Sequence, residues 1–244
     1  MSFTRRDFLR AAVTTISSWQ AGLASTTTSG LIGSLLPRTE EGHQFVVYGD
    51  SCSGRPGRSN EQNLKAVNQL ISRLSPFPEF ICFTGDNIQG MVKDADELRR
   101  QWEYFLGTEM AWLDRRRTPL YSTTSNHNTY GALSERVWRE VCSDLPQNGP
   151  ETQKGLSYYI RRGNLLLVCV NTNFSGFAEE TKATGVTPGH GRIEHEWLDR
   201  VLNENADATH KFVAGHVPAF PVNGYARYPL WRIVPHEAAA FWVV

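Results

Sequence analysis

Four short stretches of this 244-residue sequence carry side chains able to hold a cation or move a proton. They are Gly49-Asp50-Ser51-Cys52, Gly85-Asp86-Asn87, Ser125-Asn126-His127-Asn128 and Gly215-His216-Val217-Pro218. Carboxylate and amide oxygens, imidazole nitrogens and a thiolate are the ligands that Mn, Fe and Zn accept. A histidine in the same place could also act as a general acid or base. Glycine ahead of a ligand lets the backbone turn sharply and approach a metal closely. A single Gly-Asp is commonly a turn or a helix cap, so the weight lies in the series and not in any one member.

Each stretch follows an apolar run short enough to be a strand: 43–48, 79–83, 119–122 and 210–214. Between them lie segments with helical spacing. In 60–74 the apolar positions are 64, 67, 70, 71 and 74; further helices are predicted over 95–106, 132–142, 193–202 and from 235. Residues 156–160 and 165–171 read as a hairpin turning at Arg162-Gly163-Asn164. Strands alternating with helices predict an α/β fold, its sheet covered on both faces, in one domain. Ligands in such sheets bind outside the carboxyl ends of the strands. All four stretches would sit there.

The series resembles the calcineurin-like metallophosphoesterase superfamily, which includes the purple-type acid phosphatases. That family's blocks run Asp-x-His, Gly-Asp-x-x, Gly-Asn-His-Asp/Glu, a strand-end His and a last Gly-His-x-His. They are matched here at Asp50, Gly85-Asp86-Asn87, Asn126-His127 and Gly215-His216, and 191–198 resembles the helix before the fourth block. The resemblance implies a sandwich of two mixed β-sheets flanked by helices, and hydrolysis of a small-molecule phosphoester. It implies two metal ions (Fe, Mn or Zn), about 3.5–4 Å apart as in two-metal sites generally. Asp50 would bind the first ion, Asp86 would bridge both, and Asn126 and His216 would bind the second. His127 would be the catalytic acid, protonating the leaving oxygen or steadying the phosphoryl group.

The sequence also departs from that pattern. Cys52 stands where the family most often has a metal-binding His; it is either a thiolate ligand or a residue that merely lines the loop. Gln89 occupies the place of a metal-binding Tyr of some purple-type enzymes, which disfavours a tyrosinate-coloured iron site. Asn128 replaces the carboxylate expected to orient His127. No Gly-His-x-His follows His216, and the sequence stops at Phe241-Trp242-Val243-Val244. The domain is therefore expected to lack its C-terminal part, as a truncated or a degenerate member. The histidines at 43, 190, 195, 210 and 236 are not expected to be ligands. Arg55, Arg58 and Arg115-Arg116-Arg117 read as solvated.

Twenty-five Lys and Arg balance 25 Asp and Glu, which argues against a dedicated nucleic-acid binder. A 40% hydrophobic share is that of a globular chain, and no stretch reaches the roughly 18–20 apolar residues of a membrane span. Arg5-Arg6-Asp7-Phe8-Leu9 followed by an Ala/Ser/Thr-rich run resembles a bacterial twin-arginine signal over 1–24. A linker over 25–41 and the metallophosphoesterase domain over 42–244 complete the expected layout. Such a protein would engage the twin-arginine export machinery and end in the periplasm or outside the cell. Cys82 and Cys169 lie in apolar strands and Cys142 closes a helix; no CxxC pair exists, so a four-thiolate zinc site is disfavoured.

Overall fold

In a computed structural model, described over residues 42–173, 193–219 and 235–241, six strands form two three-stranded sheets. All described residues belong to one unit, Glu41–Val244. The expected signal and linker, 1–41, lie outside them, as do residues 174–192 and 220–234.

The first sheet contains β1 (Val46–Tyr48), β2 (Ile81–Phe83) and β3 (Leu120–Ser122), in that order and all parallel. Register pairs Val46 with Ile81 and Ile81 with Leu120. β2 is central and apolar on both faces, and all three of its residues are fully buried. That is the pattern of a strand covered on both sides. Parallel neighbours need long crossovers. Helix α1 (Ser59–Ile71) supplies the first, and helix α2 (Ala95–Tyr104) with the π-helical turn Phe105–Glu109 supplies the second. The Asp94 carboxylate caps α2 by accepting from the backbone N–H groups of Asp96 and Glu97. Helix α3 (Ala132–Val141) packs on α2, where the rings of Trp102 and Trp138 meet edge-on at 5.5 Å.

The second sheet is mixed. β4 (Tyr158–Arg162) and β5 (Leu165–Cys169) form the expected antiparallel hairpin, and β6 (His210–Ala214) runs parallel to β5. β5 is buried throughout, and the two-residue alternation of a strand divides it between two cores. Leu165, Leu167 and Cys169 belong to the core shared with the first sheet. Leu166, Val168 and Val170 pack with Trp197, Leu198 and Val201 of helix α4 (His195–Glu204). Between the sheets the Tyr158 hydroxyl donates to the Ser122 carbonyl at 2.9 Å, and the Cys82 and Cys169 side chains are buried in the shared core. All four cysteines are free. A short helix α5, Pro235–Phe241, follows. No helix among the described residues is long and apolar enough to cross a membrane.

The expected α/β sandwich with flanking helices is thus present. The largest local departure is at 105–109, where the predicted helix over 95–106 widens into π geometry and carries Glu109 toward the loop after β1.

Candidate metal centre

The loops after β1, β2, β3 and β6 meet at one end of the molecule, and each brings one of the four motifs. The first two loops extend the sheet's ladder past its strands. The Asp50 N–H donates to the Gly85 carbonyl (3.0 Å), Cys52 N–H to Asp86 (2.6 Å), Ser53 N–H to Asn87 (3.1 Å) and Gln89 N–H to Ser53 (2.7 Å). From the third loop the buried Ser125 hydroxyl accepts from the Asp86 N–H at 2.8 Å and the Asn128 N–H at 3.1 Å. These bonds fix the bases of the candidate ligands before any ligand atom is considered.

Three of those ligands occupy left-handed backbone conformations: Asp50 (φ 58°), Cys52 (φ 41°) and Asp86 (φ 53°). Such φ values are uncommon outside glycine, and they concentrate where function requires an unusual aim. Gly85 (φ 96°) is required on steric grounds too. A Cβ there would lie 2.7 Å from the Ser125 Cβ and 2.8 Å from His216 Nδ1.

Asp86 is the centre of the arrangement, with 6% of its surface exposed. Its two oxygens face different partners. Oδ1 lies 3.4 Å from His216 Nε2, and Oδ2 lies 3.5 Å from Cys52 Sγ and 3.9 Å from His127 Nε2. Two donor sets result, Asp50/Asp86/His216 and Cys52/Asp86/His127, with the ligand atoms within each less than 4.8 Å apart. Asn126 joins the first set through Oδ1, 2.9 Å from His216 Nε2.

Both histidines present the nitrogen a metal would need. His216 Nδ1 is 2.8 Å from the Thr84 carbonyl and His127 Nδ1 is 2.5 Å from the Gln89 carbonyl. A carbonyl only accepts, so each Nδ1 carries a proton, and each Nε2 is the ring nitrogen turned to the centre, where its lone pair could serve a cation. The His216–Asn126 contact then sets two lone pairs against each other unless the imidazole is protonated or a cation lies between them. Ligands of a tetrahedral Zn site stand about 3.3–3.5 Å apart, given bond lengths of about 2.0–2.3 Å. Two spacings about Asp86 fall on that scale, 3.4 Å to His216 Nε2 and 3.5 Å to Cys52 Sγ; the 3.9 Å to His127 Nε2 is longer.

Electrostatics agree with an anionic cradle. Partial desolvation holds the Asp50 carboxyl above the ordinary range, with His216 opposing and Asp86 adding to it. Burial, then the Asp86 and Asp50 carboxylates, push the Cys52 thiol up to about 12. Asp50 keeps an exposed edge, which leaves the cradle open on that side.

All the motif residues expected at the site are therefore brought together, but their grouping differs from expectation. Asp50 falls with His216 and not with Cys52, because the left-handed turn at Cys52 aims its thiol at the opposite oxygen of Asp86. A second correction concerns Asn128. It is fully buried and does not orient His127. Its Oδ1 accepts from the Asn87 N–H at 3.2 Å and its Nδ2 donates to Asn87 Oδ1 at 2.6 Å, so it braces the Asp86 loop from behind. The Gln89 carbonyl orients His127 instead. Arg55, expected to be solvated, is half-buried in its loop and pairs with Glu97 at 2.8 Å. His43 pairs with Glu79 and Asn164, ahead of β1, β2 and β5, at the opposite end of the strands. His190 lies outside the described residues.

Several supporting residues carried no signal in the sequence. Thr172 Oγ1 accepts from the N–H groups of His216 (3.3 Å) and Val217 (3.0 Å). Gln101 Oε1 accepts from the Gly90 N–H at 2.8 Å, beside the carbonyl that orients His127. Glu109 accepts from the Ser53 hydroxyl and, at 3.0 Å, from the Gly54 N–H.

Among solved structures, the chain is similar to a dimetal phosphatase from Danio rerio, with a TM-score of 0.55 and 17% identity over 81% of this chain and 76% of that one. The likeness is one of fold. No family model matches the sequence, and no curated protein matches it.

Proposed function

We propose that this protein is a metal-dependent phosphoester hydrolase of the calcineurin-like kind. One observation carries the reading: Asp86 directs its two oxygens to two separate donor sets at the strand ends of a fold like that of a dimetal phosphatase. A carboxylate so placed suits a bridge between two cations. Bound cations would supply Lewis-acid stabilisation of the phosphoryl oxygens and would acidify a water at the site.

The chain's own part is to hold and orient. His216, fixed through Nδ1 by Thr84 and through its backbone by Thr172, keeps Nε2 aimed at Asp86 and Asn126. Asp50, open to solvent, marks the side from which a phosphomonoester or phosphodiester would approach. His127 stands with Nε2 turned toward Asp86 Oδ2 at 3.9 Å, where it can meet the phosphoryl group or a cation beside Cys52. Hydrolysis of a generic aryl phosphate by the purified chain, supplied in turn with Mn, Fe and Zn, tests the proposal. Turnover no greater than that of an Asp86→Ala, His127→Ala control would overturn it.

A second reading, a metallophosphoesterase-fold protein without full metal sites, is favoured by the number of donors. The described residues offer four to one cation and three to the other. Metal analysis separates the two readings, since two tightly held ions per chain would count against it. Export by the twin-arginine route rests on residues 4–24 alone. Fractionation of cells carrying Arg5→Lys, Arg6→Lys tests it, with retention in the cytoplasm expected.

A further inference from the structure

We propose that Cys52, Asp86 and His127 together hold one cation of the zinc, cobalt and cadmium class, with His127 serving as a ligand. The set mixes a sulfur, an oxygen and a nitrogen. About the shared oxygen, the 3.5 Å to Cys52 Sγ is the spacing of a tetrahedral site, and His127 Nε2 at 3.9 Å stands farther out, within reach on a small inward shift of the ring.

Three observations support it independently of any reaction. First, His127 is built as metal-binding histidines usually are, with Nδ1 donating to a backbone carbonyl and Nε2 presented to a carboxylate and a thiol. Second, its own N–H donates to Asp86 Oδ1 at 3.3 Å, so backbone and ring clasp the same carboxylate. Third, the Cys52 loop is held on several sides. Its N–H donates to the Asp86 carbonyl, its carbonyl accepts from Asn60 Nδ2 at 3.2 Å, and Ser53 is tied to Glu109. A residue that merely lined the loop would not require the left-handed conformation that aims this thiol at Asp86.

Thiolate ligation sets the choice of ion. Soft sulfur favours Zn, Co and Cd over Mg and Mn, which prefer all-oxygen surroundings. The other set, with two carboxylates, an amide oxygen and one imidazole, carries no such preference. The two positions would therefore differ in the metals they take.

Cobalt reports this directly. The full chain, stripped with chelator and kept reduced, is titrated with Co²⁺ and followed by absorption. A thiolate-to-cobalt charge-transfer band in the near ultraviolet is expected, displaced by Zn²⁺ and not by Mg²⁺. Cys52→Ser should abolish the band, and His127→Ala should weaken cobalt binding at that position at least about 100-fold, more than loss of an outer-shell partner does. Cys52→His guards against misfolding: it should keep two bound ions per chain with no band. Cobalt bound without the band, a band that survives Cys52→Ser, or unchanged affinity in a folded His127→Ala would overturn the proposal. The site does not depend on the hydrolase reading. A Cys52-dependent band in a protein that cleaves no phosphoester would uphold the one and sink the other.

Discussion

Gly85 and His216 come so close that the missing Cβ of the glycine would lie 2.8 Å from the ring's Nδ1. That nitrogen is the one donating to the Thr84 carbonyl, so the glycine leaves room for the hydrogen bond that aims His216 at Asp86. Gly85→Ala would add a methyl group against His216 and Ser125, at a φ of 96° that L residues rarely adopt. The expected cost is about 1–3 kcal/mol of stability, read by denaturant unfolding. Affinity at the His216 position should fall with it, and metal affinity equal to wild type would refute the steric argument.

Ser125 predicts a different failure. Its hydroxyl accepts two backbone N–H groups inside the protein, those of Asp86 and Asn128. Ser125→Ala would strand both donors, at about 1–3 kcal/mol for each unsatisfied group. Ser125→Thr keeps the oxygen, so thermal unfolding should separate the two variants. Equal melting temperatures would mean that the hydroxyl does not brace the loop.

Asn128→Ala should lower stability by about 2–4 kcal/mol, since it removes an acceptor for the Asn87 N–H and a donor to Asn87 Oδ1 in a buried place. Because the Gln89 carbonyl holds His127, the pH profile of any hydrolysis should keep its position in this variant. A displaced profile would restore Asn128 as the orienting partner.

The Cys52 thiol, pushed up to about 12 from 9.0 by burial and by the Asp86 and Asp50 carboxylates, should resist alkylation in the metal-free protein. At pH 8 its thiolate fraction is about 1000-fold below that of an ordinary cysteine, so labelling by iodoacetamide should slow accordingly relative to the unfolded chain. The linkage has a definite sign. A raised folded value contributes stability that is fully present below pH 9 and lost as pH rises from 9 toward 12. Labelling at the unfolded rate would show that the thiol does not sit against the carboxylates.

The motifs were legible in the sequence because each has a local cause. An apolar run followed by Gly-Asp or Asn-His specifies a strand end with a polar loop, and the alternation of strands with helices places those ends together. The pairing of ligands was not legible. Whether Cys52 joins Asp50 or His127 depends on left-handed turns at residues that are not glycine, for which composition gives no sign. Asn128 was misread because the resemblance assigns its position to the partner that orients His127, whereas here its side chain turns away to Asn87 and the Gln89 carbonyl takes that role. Glu109 was missed because the predicted helix stops at 106, whereas a π-helical turn continues over Phe105–Glu109 and brings its carboxylate to Ser53.

The loop ladder that runs past the ends of β1 and β2 has a mechanical consequence. Asp50, Cys52, Ser53 and Gln89 are stitched to the neighbouring loop by backbone N–H bonds that no replacement short of proline removes. The cradle is thus an overhang of the sheet itself, stiff in the direction in which strands resist shear. An arriving cation would meet donors already standing at their posts, and the two positions, hinged on the single Asp86, would open or tighten as one.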